Sequence, residues 1–437
     1  MKTSRVARLL AVSALTALCQ LGTPSAQGVS PPEVDDRWLP KPALPAPPWP
    51  TVQREVCTTV TAASGPGRNH LTDLVDMSRV WQLTRGAGQR VAVIDTGVSR
   101  HPRLPDVVPG GDYVSTGDGT QDCDAHGTLV AGIIAAASDS KADSFSGVAP
   151  EATLISIRQS STKFAPASDR SRAGVGDVDT MAKAVRTAAD LGASVINISS
   201  VACVPVASAL DDRALGAALA YAVDVKNAVI VAAAGNTGGA AQCPPQRSEA
   251  TWATITVAVS PAWYDDYVLT VGSVNAEGTP SAFTLAGPWV DVAAPGEAVT
   301  SLGSEPVSGT SYAAPMVSGL AALIRARFPA LTARQVMQRI ESTAHHPPAG
   351  WDTLVGNGTI DALSAVSTDA SPPQTTSTPA PAPVPISTPP PTKPPNPHAR
   401  DTALRGAAIC LIALTVAVAT GAARGRLRRS RNSVPGD

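Results

Sequence analysis

Val91-Ala92-Val93-Ile94-Asp95-Thr96-Gly97 is a run of four apolar residues that stops on a carboxylate and a turn. A run this short, apolar at consecutive positions and rich in β-branched residues, fits a strand buried on both faces, as in a parallel sheet covered by helices. Leu154-Ile155-Ser156-Ile157, Val195-Ile196-Asn197-Ile198 and Val229-Ile230-Val231-Ala232 repeat the pattern. Alanine-rich stretches between them, 182–191 and 215–223, read as helices. Strands alternating with helices predict an α/β fold with a mostly parallel central sheet. Asp95 then stands at the carboxyl end of a central strand, where open α/β sheets place their sites.

The flanks of this block are different in kind. Residues 1–26 start with Lys2 and Arg5, continue in an apolar stretch and break at Gly22-Thr23-Pro24, as an export signal does. Residues 27–70 are proline-rich and too poor in periodic apolar residues to build a core, so they form either a loose leader or an arm laid along the folded domain, 71–366. Cys57 favours the arm, because a disulfide would tie it down. Residues 367–402, rich in Pro, Thr and Ser, are expected to form an extended stalk. Residues 403–423 are expected to form a transmembrane helix, its uncharged run 406–423 long enough for a bilayer core. The arginines of 424–437 place that tail in the cytoplasm and the folded domain outside, in the cell membrane by one pass. With 34 Lys and Arg against 35 Asp and Glu there is no basic surplus for a nucleic-acid partner.

Of the six cysteines, Cys19 falls in the signal and Cys410 in the span. Cys57, Cys123, Cys203 and Cys243 remain in an oxidising compartment, an even set that predicts two disulfides with three pairings open. Their wide spacing argues against zinc, and neither a metal nor a cofactor is expected.

Amide hydrolysis needs a nucleophile, a base, a group that orients the base and donors for an oxyanion. Asp95 is the candidate orienting carboxylate. An aspartic-protease role for it would require a second Asp-Thr-Gly, which the chain lacks. His126, in Asp124-Ala125-His126-Gly127-Thr128, stands where a helix is expected to begin, and is the candidate base. Ser311, in Gly309-Thr310-Ser311-Tyr312-Ala313-Ala314-Pro315, opens another expected helix, so its N–H is free and the helix dipole favours negative charge beside it. Pro315 is expected in the first turn or so of that helix, where its missing N–H does little harm. Asn236 ends Ala232-Ala233-Ala234-Gly235-Asn236 and is the candidate second oxyanion donor.

These four segments resemble the subtilase family, which carries Asp, His, Asn and Ser in this chain order. A closer resemblance, over nearly the whole chain, is to its mycosin group, subtilases attached to type VII secretion systems. Cys123-Asp124-Ala125-His126-Gly127-Thr128-Leu129, Gly174-Val175-Gly176-Asp177-Val178-Asp179-Thr180 and Pro261-Ala262-Trp263-Tyr264-Asp265-Asp266-Tyr267 carry it. The resemblance implies a subtilisin-like three-layer fold, attack by Ser311, proton transfer by His126, stabilisation of the imidazolium by Asp95, and an oxyanion held by Asn236 and the Ser311 N–H. It also implies disulfides Cys57–Cys123 and Cys203–Cys243, each worth about 4 kcal/mol on the chain-entropy account, and an extension that is a permanent arm. The implied partners are exported protein substrates and membrane components of a secretion complex; in the alternative reading the chain is chiefly a structural subunit of that complex. Two departures point to a narrow substrate range. Ser199-Ser200-Val201-Ala202-Cys203 replaces a glycine-rich segment common in subtilases, and the polar insertion 159–177 is expected to border or cover the cleft.

Overall fold

The computed structural model describes residues 29–60 and 77–367, apart from 105–106, 140–144, 170, 172–173, 209, 240–242 and 304. The expected signal, span and tail, and the stalk from residue 368, lie outside the described residues. Among the described residues no helix is long and apolar enough to cross a membrane.

The four apolar runs form strands of one seven-stranded sheet. In chain order its strands are β2 (Arg90–Asp95), β3 (Val107–Asp112), β4 (Thr153–Arg158), β6 (Val195–Ile198), β8 (Val229–Ala233), β10 (Leu269–Val274) and β11 (Val292–Pro295). Across the sheet the order is β11-β10-β8-β6-β2-β4-β3, and every neighbouring pair is parallel. From β2 the chain first fills one side, β3 at the edge and then β4 between, and afterwards builds outward on the other through β6, β8, β10 and β11, so β2 is the switch point and its carboxyl end opens a crevice. In register, Val91 pairs with Leu154 on one side and Val195 on the other, and helices packed on the sheet cover its faces, so Val91, Ala92, Val93 and Ile94 are all fully buried.

Helices α2 (His126–Ala135) and α5 (Thr310–Arg327) pack together and against the sheet, while α3 (Val178–Asp190) and α4 (Arg213–Ala220) form the other helical layer. Helix α1 (Met77–Leu83) precedes β2, and α6 (Ala333–Thr343) and α7 (Ala362–Val366) close the domain. α3 begins four residues before the expected start because Asp177 and Thr180 form a reciprocal capping box. α4 runs on as a π turn over Tyr221–Val225. α5 crosses the core and is buried almost throughout. Ser318 donates to Asn197 at 2.8 Å, and Asn197 donates to Ser199 at 2.9 Å, so a buried polar chain fixes α5 against the end of β6.

Over residues 29–60 the proline-rich extension lies along the domain as an arm. Val29 N donates to the Trp252 carbonyl at 3.0 Å, Arg186 donates to the Pro40 carbonyl at 3.2 Å, and the Arg213 guanidinium lies 3.8 Å over the Trp38 ring. Strand β1 (Thr51–Gln53) then pairs antiparallel with β5 (Phe164–Pro166), inside the polar insertion. A disulfide joins Cys57 to Cys123, and a second joins Cys203, in β7 (Ala202–Pro205), to Cys243. β7 pairs antiparallel with β9 (Val257–Ser260).

Packing of α5 tests the architecture. A Cβ on Gly319 would meet Val148 Cβ at 2.6 Å. Gly319→Ala gains about 1 kcal/mol of helix propensity, but overpacking loses about 1–3 kcal/mol. A net loss of up to about 2 kcal/mol is expected in a urea melt. A more stable variant would show that α5 does not press on Val148 in this way.

Candidate active site

Asp95, the last residue of β2, is fully buried, and its Oδ1 accepts the Thr96 N–H at 2.7 Å. The same oxygen lies 2.7 Å from Nδ1 of His126, the first residue of α2. This approach needs Gly127, since a Cβ there would stand 2.1 Å from the Gly97 carbonyl oxygen and 3.1 Å from Asp95 Cβ. It also needs Ala125 in the left-handed region at φ 68°, a conformation that costs a non-glycine residue about 1–3 kcal/mol unless its surroundings impose it.

Asp122 imposes it. Its Oδ1 accepts the Ala125 N–H at 2.8 Å, the Asp124 N–H at 3.0 Å and the Thr96 hydroxyl at 2.9 Å. Its Oδ2 accepts the Thr128 N–H at 2.9 Å and hydroxyl at 2.6 Å. Thr96 Oγ1 in turn accepts the Gly127 N–H at 2.9 Å. One carboxylate thus joins the turn after Asp95 to the start of the helix that carries His126. Burial pushes its carboxyl above the usual range, and the Thr128 and Thr96 bonds pull it part of the way back.

Burial pulls the His126 imidazole down, but the charge and hydrogen bond of Asp95, then the charges of Asp122 and Asp124, outweigh it and leave the ring above its ordinary value. With Nδ1 turned to Asp95, Nε2 is the nitrogen available to a proton donor in the cleft.

Ser311 is the second residue of α5, so its N–H belongs to the first turn, which has no intrahelical acceptor. Pro315 lies deeper than expected, in the second turn and inside the helix. Its missing N–H withholds the usual donor from the Ser311 carbonyl, a defect placed beside the site. Asn236 Oδ1 accepts the Thr310 N–H at 2.9 Å and hydroxyl at 3.0 Å, which fixes the amide with Nδ2 facing the other way. That Nδ2 and Ser311 Oγ lie 3.4 and 3.1 Å from the point where a Cβ on Gly309 would stand, so any side chain at 309 would intrude between them. The Tyr312 ring packs on the His126 ring at 5.1 Å between centroids, bringing the starts of α2 and α5 together.

His126, Asn236 and Tyr312 line a cleft of ≈ 880 Å³, bordered by Thr58 of the arm, Ser160–Lys163 and Gly174–Gly176 of the insertion, and Ser199–Val201 after β6. The insertion therefore forms one wall of the cleft. Both cysteines of the second disulfide also face the cleft, and Cys243 N donates to the Asn236 carbonyl at 2.9 Å. The arrangement offers a hydroxyl at a helix start with the Asn236 amide near it, and an imidazole backed by a buried carboxylate, groups of the kind acyl transfer uses. Asp122, Thr96, Thr310 and Tyr312 carry no motif of their own. Asp122 stands four residues before His126, four of its five bonds come from residues 124–128, and the fold adds the Thr96 hydroxyl. No group of three or more His, Cys, Asp or Glu side chains arranged to hold a metal occurs among the described residues.

Asp122→Asn keeps the volume but turns a donor group toward Thr128 or Thr96. A loss of about 2–4 kcal/mol is expected in urea denaturation, because buried donors to a charged acceptor are left unpaired. A loss below about 0.5 kcal/mol would mean that the five bonds do not hold the turn.

The subtilase family model matches residues 86–358, which include all four candidate residues. Mycosin-4 of Mycobacterium tuberculosis is 72% identical over 457 aligned positions, covering 100% of both chains. Mycosin-1 of Mycolicibacterium smegmatis is 43% identical, over 82% of this chain and 86% of its own. Among solved structures, MycP1 from the ESX-1 type VII secretion system superposes with a TM-score of 0.73 at 43% identity, over 78% of this chain and 96% of that one. A chain of an intact ESX-5 inner membrane complex superposes with a TM-score of 0.72 at 38% identity, over 90% of this chain and 100% of that one. By fold, site and likeness the chain belongs to the subtilase family of serine proteases, in its mycosin group.

Proposed function

We propose that this protease cleaves exported proteins outside the cytoplasmic membrane, with Ser311 as nucleophile, His126 as general base and acid, and Asp95 as the group that orients and charges the imidazole. The observation that carries the reading is the 2.7 Å contact of buried Asp95 with His126, whose ring packs on Tyr312, the residue after a serine that opens a helix beside Asn236. Ser311 Oγ attacks the peptide carbonyl as His126 Nε2 takes its proton. The oxyanion is held by Asn236 Nδ2 and the Ser311 N–H. His126 returns the proton to the leaving amine, and water then repeats the sequence on the acyl-enzyme.

The same proposal covers the chain's setting. A type VII secretion complex as partner is supported by the likeness to a chain of the ESX-5 inner membrane complex. Removal of residues 1–26, a stalk over 367–402, one membrane helix over 403–423 and a cytoplasmic tail are supported by the sequence pattern alone. Coverage of 90% of this chain by the ESX-5 match also favours a second role, as a structural subunit.

Activity requires neutral His126, whose pKa is raised. kcat/KM is therefore expected to fall as pH drops through a value above the ordinary imidazole pKa of about 6.5. Asp95→Asn removes the charge responsible, so the acid limb moves to lower pH and the maximal rate falls about 10⁴-fold. An acid limb that stays in place in the variant would contradict the assignment. To separate the two roles, Ser311→Ala is expressed in a host lacking its own copy. Processed forms of exported proteins are expected to vanish, and secretion persists if the structural role is real.

A further inference from the structure

Two carboxylates two residues apart, Asp122 and Asp124, precede His126, and the fold uses them in opposite directions. Asp122 turns inward and fixes the helix start. Asp124 turns to the cleft, where its three bonds go to a segment about 37 residues away in sequence. Ser161 Oγ donates to its Oδ2 at 2.5 Å, and Thr162 donates to its Oδ1 from N at 2.8 Å and from Oγ1 at 2.5 Å.

That segment is the cleft wall contributed by the insertion. Ser161 and Val175 exchange backbone hydrogen bonds at 3.0 and 2.9 Å, so whatever holds Ser161 also holds Gly174–Gly176. Gly176 must be glycine, with φ 118° and a Cβ position 2.6 Å from Ser160 Cβ. On its outer side the wall is held by the arm: Arg54 N donates to the Lys163 carbonyl at 2.8 Å, and Lys163 pairs with Glu55 at 2.9 Å. On its inner side Asp124 supplies the latch.

Resting on the reading of this cleft as a peptidase site, we propose that Asp124 is a specificity-determining residue. It latches the Ser160–Thr162 and Gly174–Gly176 wall to the histidine loop, so that the groove facing Ser199–Val201 has a fixed width and accepts an extended peptide segment in one register. A small acylating reagent needs only the nucleophile and base, which α5, α2 and Asp122 hold by other contacts. An extended substrate needs the wall as well, and positioning lost there is read in substrate affinity before chemistry.

The test compares the parent chain, Asp124→Ala, the Ser161→Ala/Thr162→Val pair and the combination of all three, each retaining the arm and both disulfides. Two readouts are taken above the acid limb: the rate of Ser311 labelling by a fluorophosphonate, and kcat and KM on peptides of increasing length. With Asp124→Ala, KM for long peptides is expected to rise about tenfold, with kcat and labelling within about threefold of the parent. The wall pair leaves the Thr162 N–H bond in place and should give part of this effect, and adding Asp124→Ala to it should bring KM to the level of Asp124→Ala alone and no further, since one latch is being removed from its two ends. Independent, multiplying losses would overturn the proposal, as would an equal fall in labelling and hydrolysis. A KM effect confined to peptides with Lys or Arg near the cleaved bond would also overturn it, since the carboxylate would then be reading substrate charge. Failure of the parent chain to label at all would instead remove the peptidase reading beneath it.

Discussion

A charged carboxylate at the end of a buried strand is expensive to bury, and the arrangement around Asp95 follows from meeting that requirement. Its neighbours β4 and β6 flank the strand, so solvation has to be replaced by donors at the crevice: the Thr96 N–H and the His126 ring reach Oδ1, while Oδ2 is buried with no hydrogen-bond partner among the described residues. To bring the ring there, α2 must begin within contact distance of the β2 turn, which requires a glycine at 127 and a left-handed alanine at 125. Asp122 supplies the hydrogen bonds that hold this geometry. The electrostatic consequence is a raised imidazole pKa, the property a base needs if it is to stabilise its own protonated form as charge develops on the substrate.

The second half of the proposed site is held by a different set of contacts. α5 runs through the core as a nearly all-buried helix, positioned lengthwise by the Ser318–Asn197 bond and laterally by small residues such as Gly319. Its start meets the Asn236 turn through the two Thr310 bonds, so the proposed nucleophile sits on the helix and the proposed oxyanion amide is tied to it. Tyr312 packs on His126 and joins the halves. Burial and the negative charges of Asp95 and Asp122 push its phenol upward, so it remains a neutral packing surface. The wall built by Ser160–Lys163 and Gly174–Gly176 belongs to neither half.

Much of this was legible in the residue order. Strands buried on both faces read as apolar runs because no face is left for polar residues, and Asp95, His126, Asn236 and Ser311 each stand at the end of such a run or at a helix start. Element ends were less legible. The α3 start turned on the Asp177–Thr180 box, and Pro315 was placed too near the α5 start because the helix begins at Thr310. Least legible was Asp124, whose donors lie 37–38 residues away and meet it only in three dimensions, while Asp122 takes four of its five bonds from residues 124–128 and only the Thr96 hydroxyl from afar. Of the two settings open for residues 27–70, the arm is the one adopted where the chain is described, through contacts such as Pro45 on Gly111 that composition does not encode.

The central claim is that one oxygen, generated by attack of Ser311, lands between Asn236 and the start of α5. A crystal structure of the domain and arm reacted with a peptidyl phosphonate tests this directly. The account predicts a covalent bond from Ser311 Oγ to phosphorus, with one phosphonyl oxygen within hydrogen-bond distance, about 2.7–3.1 Å, of both Asn236 Nδ2 and Ser311 N. An adduct whose oxygen faces solvent or His126, with Asn236 uninvolved, would contradict it.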